Sequence, residues 1–80
     1  MSKEYYKKRI IDLRADITKE REEKKRDNAY YADKVKSAVG VSNKAYYRKQ
    51  KIDKAASHDR RIESLKRDIE RAKDSLKRCK

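Results

Sequence analysis

The stretch Ile62-Glu63-Ser64-Leu65-Lys66-Arg67-Asp68-Ile69-Glu70-Arg71-Ala72-Lys73-Asp74-Ser75-Leu76-Lys77-Arg78-Cys79 places its apolar residues at 62, 65, 69, 72, 76 and 79. The steps alternate three and four, the spacing of one face of an α-helix that packs as a coiled-coil seam. Read as heptads, Ile62, Ile69 and Leu76 fall at a, and Leu65, Ala72 and Cys79 at d. Carried backward, the same register passes through His58, Ala55 and Lys51, so the seam loses apolar character toward the middle of the chain.

The first half carries a matching seam. Tyr6, Ile10, Leu13 and Ile17 step by four, three and four. The register then meets Glu20, Lys24 and Asp27 before apolar residues return at Tyr31, Val35 and Ala38. This spacing predicts a second long helix with a polar waist. Between the halves lies Ala38-Val39-Gly40-Val41-Ser42-Asn43. Its glycine can take positive φ and stop the first helix, while Ser42 or Asn43 can N-cap the second. The expected architecture is all-α: one helical-hairpin domain over 1–80, with a helix over about 3–38, a turn over about 39–42 and a helix over about 43–79. Two antiparallel helices of about 35 residues make a rod about 50 Å long.

An internal correspondence supports the pairing. Arg9-Ile10-x-x-Leu13-Arg14-x-Asp16-Ile17-x-Lys19 matches Arg61-Ile62-x-x-Leu65-Lys66-x-Asp68-Ile69-x-Arg71 in residue type. A duplication and a merely shared amphipathic pattern both account for it. With Gly40 at the turn, Ile10 faces Ala72, Leu13 faces Ile69 and Ile17 faces Leu65. The expected interaction seam is Tyr6, Ile10, Leu13, Ile17, Ile62, Leu65, Ile69 and Leu76.

Composition excludes several classes of function. The 80 residues are 50% charged and 35% apolar, with a net charge of +12, no proline, one glycine, one cysteine and one histidine. No run approaches the about 18 consecutive apolar residues of a membrane span, so no membrane insertion is expected. Met1-Ser2-Lys3-Glu4-Tyr5-Tyr6 opens no apolar segment of a secretory signal, and the chain reads as one made in the cytoplasm. One Cys and one His cannot supply the about four ligands of a structural zinc site. No phosphate loop or catalytic triad can be assembled, so no enzyme activity, cofactor or small-molecule substrate is expected. His58 extrapolates to the seam opposite Lys24, as a polar register-setting residue. Cys79 reads as a small seam residue flanked by Arg78 and Lys80.

Two helices alone bury a narrow stripe, so a partner surface is expected. Ile11, Val35, Ile52, Ala56 and several tyrosines lie off the strict seam and widen the apolar face. An antiparallel four-helix bundle of two copies and a hetero-bundle with another helical protein satisfy the same physics. Residues 3–38 hold twelve Lys/Arg against eight Asp/Glu, and residues 39–80 fourteen against six, so the second helix carries most of the positive excess. In Lys19-Glu20-Arg21-Glu22-Glu23-Lys24-Lys25-Arg26-Asp27 the pairs Glu20–Lys24 and Glu22–Arg26 suit i,i+4 support of a solvated helix. A second cluster follows the turn, where Lys44, Arg48, Lys49 and Lys51 surround Tyr46 and Tyr47. Those six are the candidate polyanion-binding residues, since cations with interleaved tyrosine contact phosphates and stack on bases. Packing is the competing reading: in the doublets Tyr5-Tyr6, Tyr30-Tyr31 and Tyr46-Tyr47, neighbours lie about 100° apart on a helix, so one ring can face the seam and the other its flank.

A chain of this length folding as two antiparallel helices around Ala38-Val39-Gly40-Val41 resembles the WXG100/ESAT-6-like proteins and the small helical partners of type VII secretion toxins. The likeness covers nearly the whole chain and lies in the architecture; where that family carries Trp-x-Gly, this chain has no tryptophan. The resemblance implies a non-catalytic partner that bundles with the helices of a cargo protein and can be exported without a signal peptide. The sequence therefore reads as a non-enzymatic interaction protein that binds a helical partner or an acidic protein surface. Such a protein serves as a secretion partner or adaptor, or as a phage-type inhibitor of a host complex. The alternative is a basic nucleic-acid-binding protein with little sequence specificity.

Overall fold

A computed structural model describes residues 2–79; Met1 and Lys80, the ends of the expected domain, lie outside the described residues. It shows an all-α helical hairpin of α1 (Lys3–Ser37) and α2 (Val41–Arg78), packed along their length in a rod of 63 × 14 × 11 Å. The length agrees with a rise of about 1.5 Å per residue over the 38 residues of α2.

Each end of α1 has a local cause. Ser2 takes extended backbone angles and its hydroxyl accepts the Tyr5 N–H at 3.3 Å, an N-cap, with Glu4 in the first turn against the positive end of the helix dipole. At the other end Ala38 turns extended, its N–H still donating to the Lys34 carbonyl, and Lys34 and Lys36 sit in the negative last turn. Lys44 Nζ reaches back from α2 to the Val35 carbonyl at 3.3 Å. It thereby satisfies an acceptor that the helix itself leaves without a donor.

The turn is tighter than the spacing predicts. It occupies residues 38–40, and Gly40 (φ 91°, ψ 153°) is itself the N-cap of α2. Ser42 and Asn43, expected as caps, lie inside α2 instead. Asn43 donates to the Val39 carbonyl at 2.9 Å, holding the chain on the other side of the glycine. The extended backbone of Ala38 already ends α1, so the glycine acts at the start of the next helix rather than at the stop of the first. Gly40 occupies a region of positive φ and extended ψ open to essentially no other residue. A Cβ there would meet no atom within 4 Å. Gly40→Ala is therefore expected to destabilise through backbone strain alone, by about 1–3 kcal/mol in urea unfolding.

The apolar core is confined to one half of the rod. Ile10, Leu13 and Ile17 of α1 pack with Ile62, Ile69 and Ala72 of α2, all buried, and Leu65 and Leu76 close the cluster from partly buried positions. Tyr6 is half-buried at its edge. The eight expected seam residues thus converge, and the two matching segments pack against each other. From residue 18 to residue 57, around the turn, no side chain is fully buried. There Tyr31, Val35, Ala38, Tyr47 and Ala55 are half-buried, while Tyr30, Val39, Val41, Tyr46 and Ile52 are exposed. No helix among the described residues is long and apolar enough to cross a membrane.

Candidate functional site

The waist of the rod holds a network of charged side chains. Glu20, Lys24 and Asp27 occupy seam positions on α1, so they face α2 at the level where His58 enters the same interface. His58 is 5% exposed, the one buried polar residue among those described. Its Nδ1 lies 2.5 Å from Glu20 Oε1 and its Nε2 2.6 Å from Asp27 Oδ2. Arg61, one turn along α2, donates to the same Glu20 oxygen at 3.0 Å, and Lys24 donates to Asp59 at 2.8 Å.

The geometry fixes the charge state. A carboxylate accepts hydrogen bonds and has none to give. Two carboxylates on one imidazole therefore require a proton on each ring nitrogen, which makes His58 an imidazolium held between two anions. The Asp27 and Glu20 hydrogen bonds raise the His58 pKa above its ordinary 6.5 against the opposing effect of burial. Reciprocally, the hydrogen bond from His58, with help from Arg61, holds Glu20 below its ordinary 4.5. Glu23 lies one turn beyond Glu20, half-buried, and takes part in no hydrogen bond or ion pair among the described residues.

Residues 19–27 form the expected helix, with Lys19, Arg21, Glu22, Lys25 and Arg26 exposed, but the expected i,i+4 pairs are absent among the described residues. Among the described residues neither Glu20–Lys24 nor Glu22–Arg26 forms an ion pair; Glu20 and Lys24 bond across the interface to α2 instead. The physical reason is register. Residues 20, 24 and 27 continue the spacing of Ile10, Leu13 and Ile17, so their side chains reach the facing helix before they reach each other. His58 enters the interface as the extrapolated register has it, but its partners are Glu20 and Asp27, while Lys24 pairs with Asp59.

The candidate polyanion-binding residues do not share one face. Tyr46, Arg48 and Lys49 are exposed, whereas Lys44, Tyr47 and Lys51 are half-buried, and Lys44 is engaged on the Val35 carbonyl. All three tyrosine doublets repeat one arrangement. Tyr6, Tyr31 and Tyr47 turn toward the interface, and Tyr5, Tyr30 and Tyr46 stand exposed on its flank. Within each doublet the rings meet edge to face, with centroids 5.0–5.2 Å apart. One tyrosine of each pair thus turns inward, and the other stands exposed. Of the residues expected to widen the apolar face, Val35 and Ala56 are half-buried while Ile11 and Ile52 are more than 60% exposed.

The turn-proximal part of the rod is also electrostatically one-sided. Residues 34–52 contain Lys34, Lys36, Lys44, Arg48, Lys49 and Lys51 and no Asp or Glu. None of these six cations forms an ion pair among the described residues; Lys34 instead lies over the Tyr30 ring, 5.4 Å from its centroid. At the apex Val39 and Val41 are each 84% exposed. The first turn of α2 carries no acidic residue, so the positive end of its dipole adds to the same field.

Comparison with protein-family models found no match. Comparisons with curated proteins and with solved structures found no similar chain.

Proposed function

We propose that the chain is a non-enzymatic interaction protein whose turn-proximal half docks on an acidic surface of another protein. The observation that supports this reading is the asymmetry of the rod. The half near the termini closes its own apolar core, whereas residues 28–54 leave a half-buried apolar stripe, exposed Val39, Val41 and Tyr46, and cations without counter-charges. A docked partner with apolar residues ringed by carboxylates covers the stripe and neutralises the cations at once. Apolar burial then supplies affinity, and the complementary charges supply encounter rate and orientation. Such a surface would suit a secretion partner, an adaptor or an inhibitor of a host complex.

A zero-length carbodiimide tests this directly, because it joins lysine amines to carboxylates already in contact. In cells that make the chain, adducts to a partner protein are expected at the exposed Lys36 and Lys49. Adducts confined to Lys7, Lys8, Lys66 and Lys73, on the other half, would contradict the reading.

The exposed Tyr46 beside Arg48 and Lys49 favours one second reading, single-stranded nucleic acid. That reading predicts that log affinity for an oligonucleotide falls with log salt by about 0.7 per phosphate contact. Arg48→Gln with Lys49→Gln is expected to flatten the slope by about 1.4, and Tyr46→Ala to cost about 1–3 kcal/mol of binding. Tyr47→Ala would lower the melting temperature first, since that ring packs. Weak binding that these substitutions leave unchanged excludes nucleic acid as the partner.

A further inference from the structure

We propose that Glu20, Glu23 and His58 form a divalent-metal site that takes Zn2+ on three protein donors and one water, with Asp27 orienting the imidazole. One ligand atom from each of the three residues lies within 4.8 Å of the others. The donors come from facing helices: two glutamates one turn apart on α1, and a buried histidine on α2. In a tetrahedral site with bonds of about 2.0–2.1 Å, ligand atoms stand about 3.3 Å apart, so the donors need to shift by only about 1 Å. One imidazole, two carboxylates and an open fourth position suit Zn2+ better than the harder Mg2+ or Ca2+, which prefer oxygen-only shells.

Two features distinguish this cluster from ordinary surface acids. Asp27 binds Nε2 of His58, the ring nitrogen opposite the one that meets Glu20, and so supplies the carboxylate–histidine arrangement that fixes a metal-bound imidazole. Glu23 is the second. It is half-buried near the imidazole, and among the described residues no hydrogen bond or ion pair uses its carboxylate. A count of Cys and His alone overlooks such a site because two of its three donors are carboxylates.

The exchange is balanced. The proton on His58 Nδ1, now donated to Glu20, leaves as Zn2+ takes the lone pair, and Nε2–H remains on Asp27. Arg61 competes for Glu20 at 3.0 Å. Metal binding is therefore expected to displace the Nδ1 proton of His58 and to loosen the Arg61 contact to Glu20.

The test is calorimetric titration of Zn2+ into the full chain carrying Cys79→Ser, which removes the thiol as a competing ligand. One ion per chain is expected, with Glu23→Gln weakening binding by more than about tenfold and leaving the metal-free melting temperature unchanged. Arg61→Gln is expected to tighten it, and His58→Gln to abolish it. Absence of binding at millimolar Zn2+ would overturn the proposal, as would binding that Glu23→Gln and Arg61→Gln leave unaltered.

Discussion

Leu13→Ala is expected to leave the chain largely unfolded at room temperature. Leu13 is 2% exposed, the most buried side chain of the core. Leucine-to-alanine changes at such sites cost about 2–5 kcal/mol, from lost transfer free energy and from the cavity left behind. A chain this small rarely derives more than about 3–5 kcal/mol from its core. Among the described residues only six apolar side chains are buried. One truncation therefore removes most of what holds the two helices together. Isolated helices of this composition gain little from propensity alone, so separation of the pair melts both. Circular dichroism at 222 nm is expected to lose most of its amplitude for Leu13→Ala, whereas Ile11→Ala, at an exposed position two residues away, shifts stability by under about 0.5 kcal/mol. A Leu13→Ala variant that melts like the parent chain would mean that the core lies elsewhere.

The second large effect concerns pH. The folded state raises the His58 pKa, so the imidazolium contact adds stability that is fully present below the unfolded value near 6.5 and is lost as pH rises through the folded pKa. Glu20 has the opposite sign. Its lowered pKa adds stability above about 4.5, lost as pH falls through the folded value. The hairpin is thus expected to be most stable between about pH 4.5 and 6.5 and to weaken on both sides. Above the folded pKa one ring nitrogen presents a lone pair to a carboxylate, and a buried hydrogen bond becomes a repulsion. Urea unfolding from pH 5 to pH 9 reads this directly. His58→Gln is expected to cost about 1–3 kcal/mol at pH 6 by breaking a buried bond to a charged group, and to flatten the alkaline limb. A limb unchanged in His58→Gln would assign the pH dependence to another group.

The fold was legible because its information is local and periodic. Ile62, Leu65, Ile69, Ala72 and Leu76 show one helical face. Tyr6, Ile10, Leu13 and Ile17 show its counterpart, and one glycine between them leaves little choice of topology. The caps were less legible. Ser42 and Asn43 carry the right chemistry, yet the extended backbone of Ala38 shortened the turn and moved the cap to Gly40, a difference of one or two residues that propensity does not resolve.

The ion network was half legible. Glu20, Lys24 and Asp27 stood on the seam in the sequence, and His58 extrapolated to the opposite side. What periodicity could not supply is which charges cross the interface, because i,i+4 pairing on one helix and pairing between helices use the same residues. The charge bias of residues 34–52 is plain in the sequence. That it coincides with the half lacking a buried core emerges only once the helices are paired.

This asymmetry is the centre of the account, and residue-resolved amide hydrogen exchange of the chain alone tests it most directly. Backbone hydrogen bonds over a closed core open only with the whole fold, whereas those over a half-buried stripe open locally. The slowest amides are expected at Ile10–Ile17 and Ile62–Ala72, with markedly faster exchange over the helical residues 28–37 and 41–54 on either side of the turn. Uniform protection from one end of the rod to the other would contradict the division into a closed half and a half that awaits a partner.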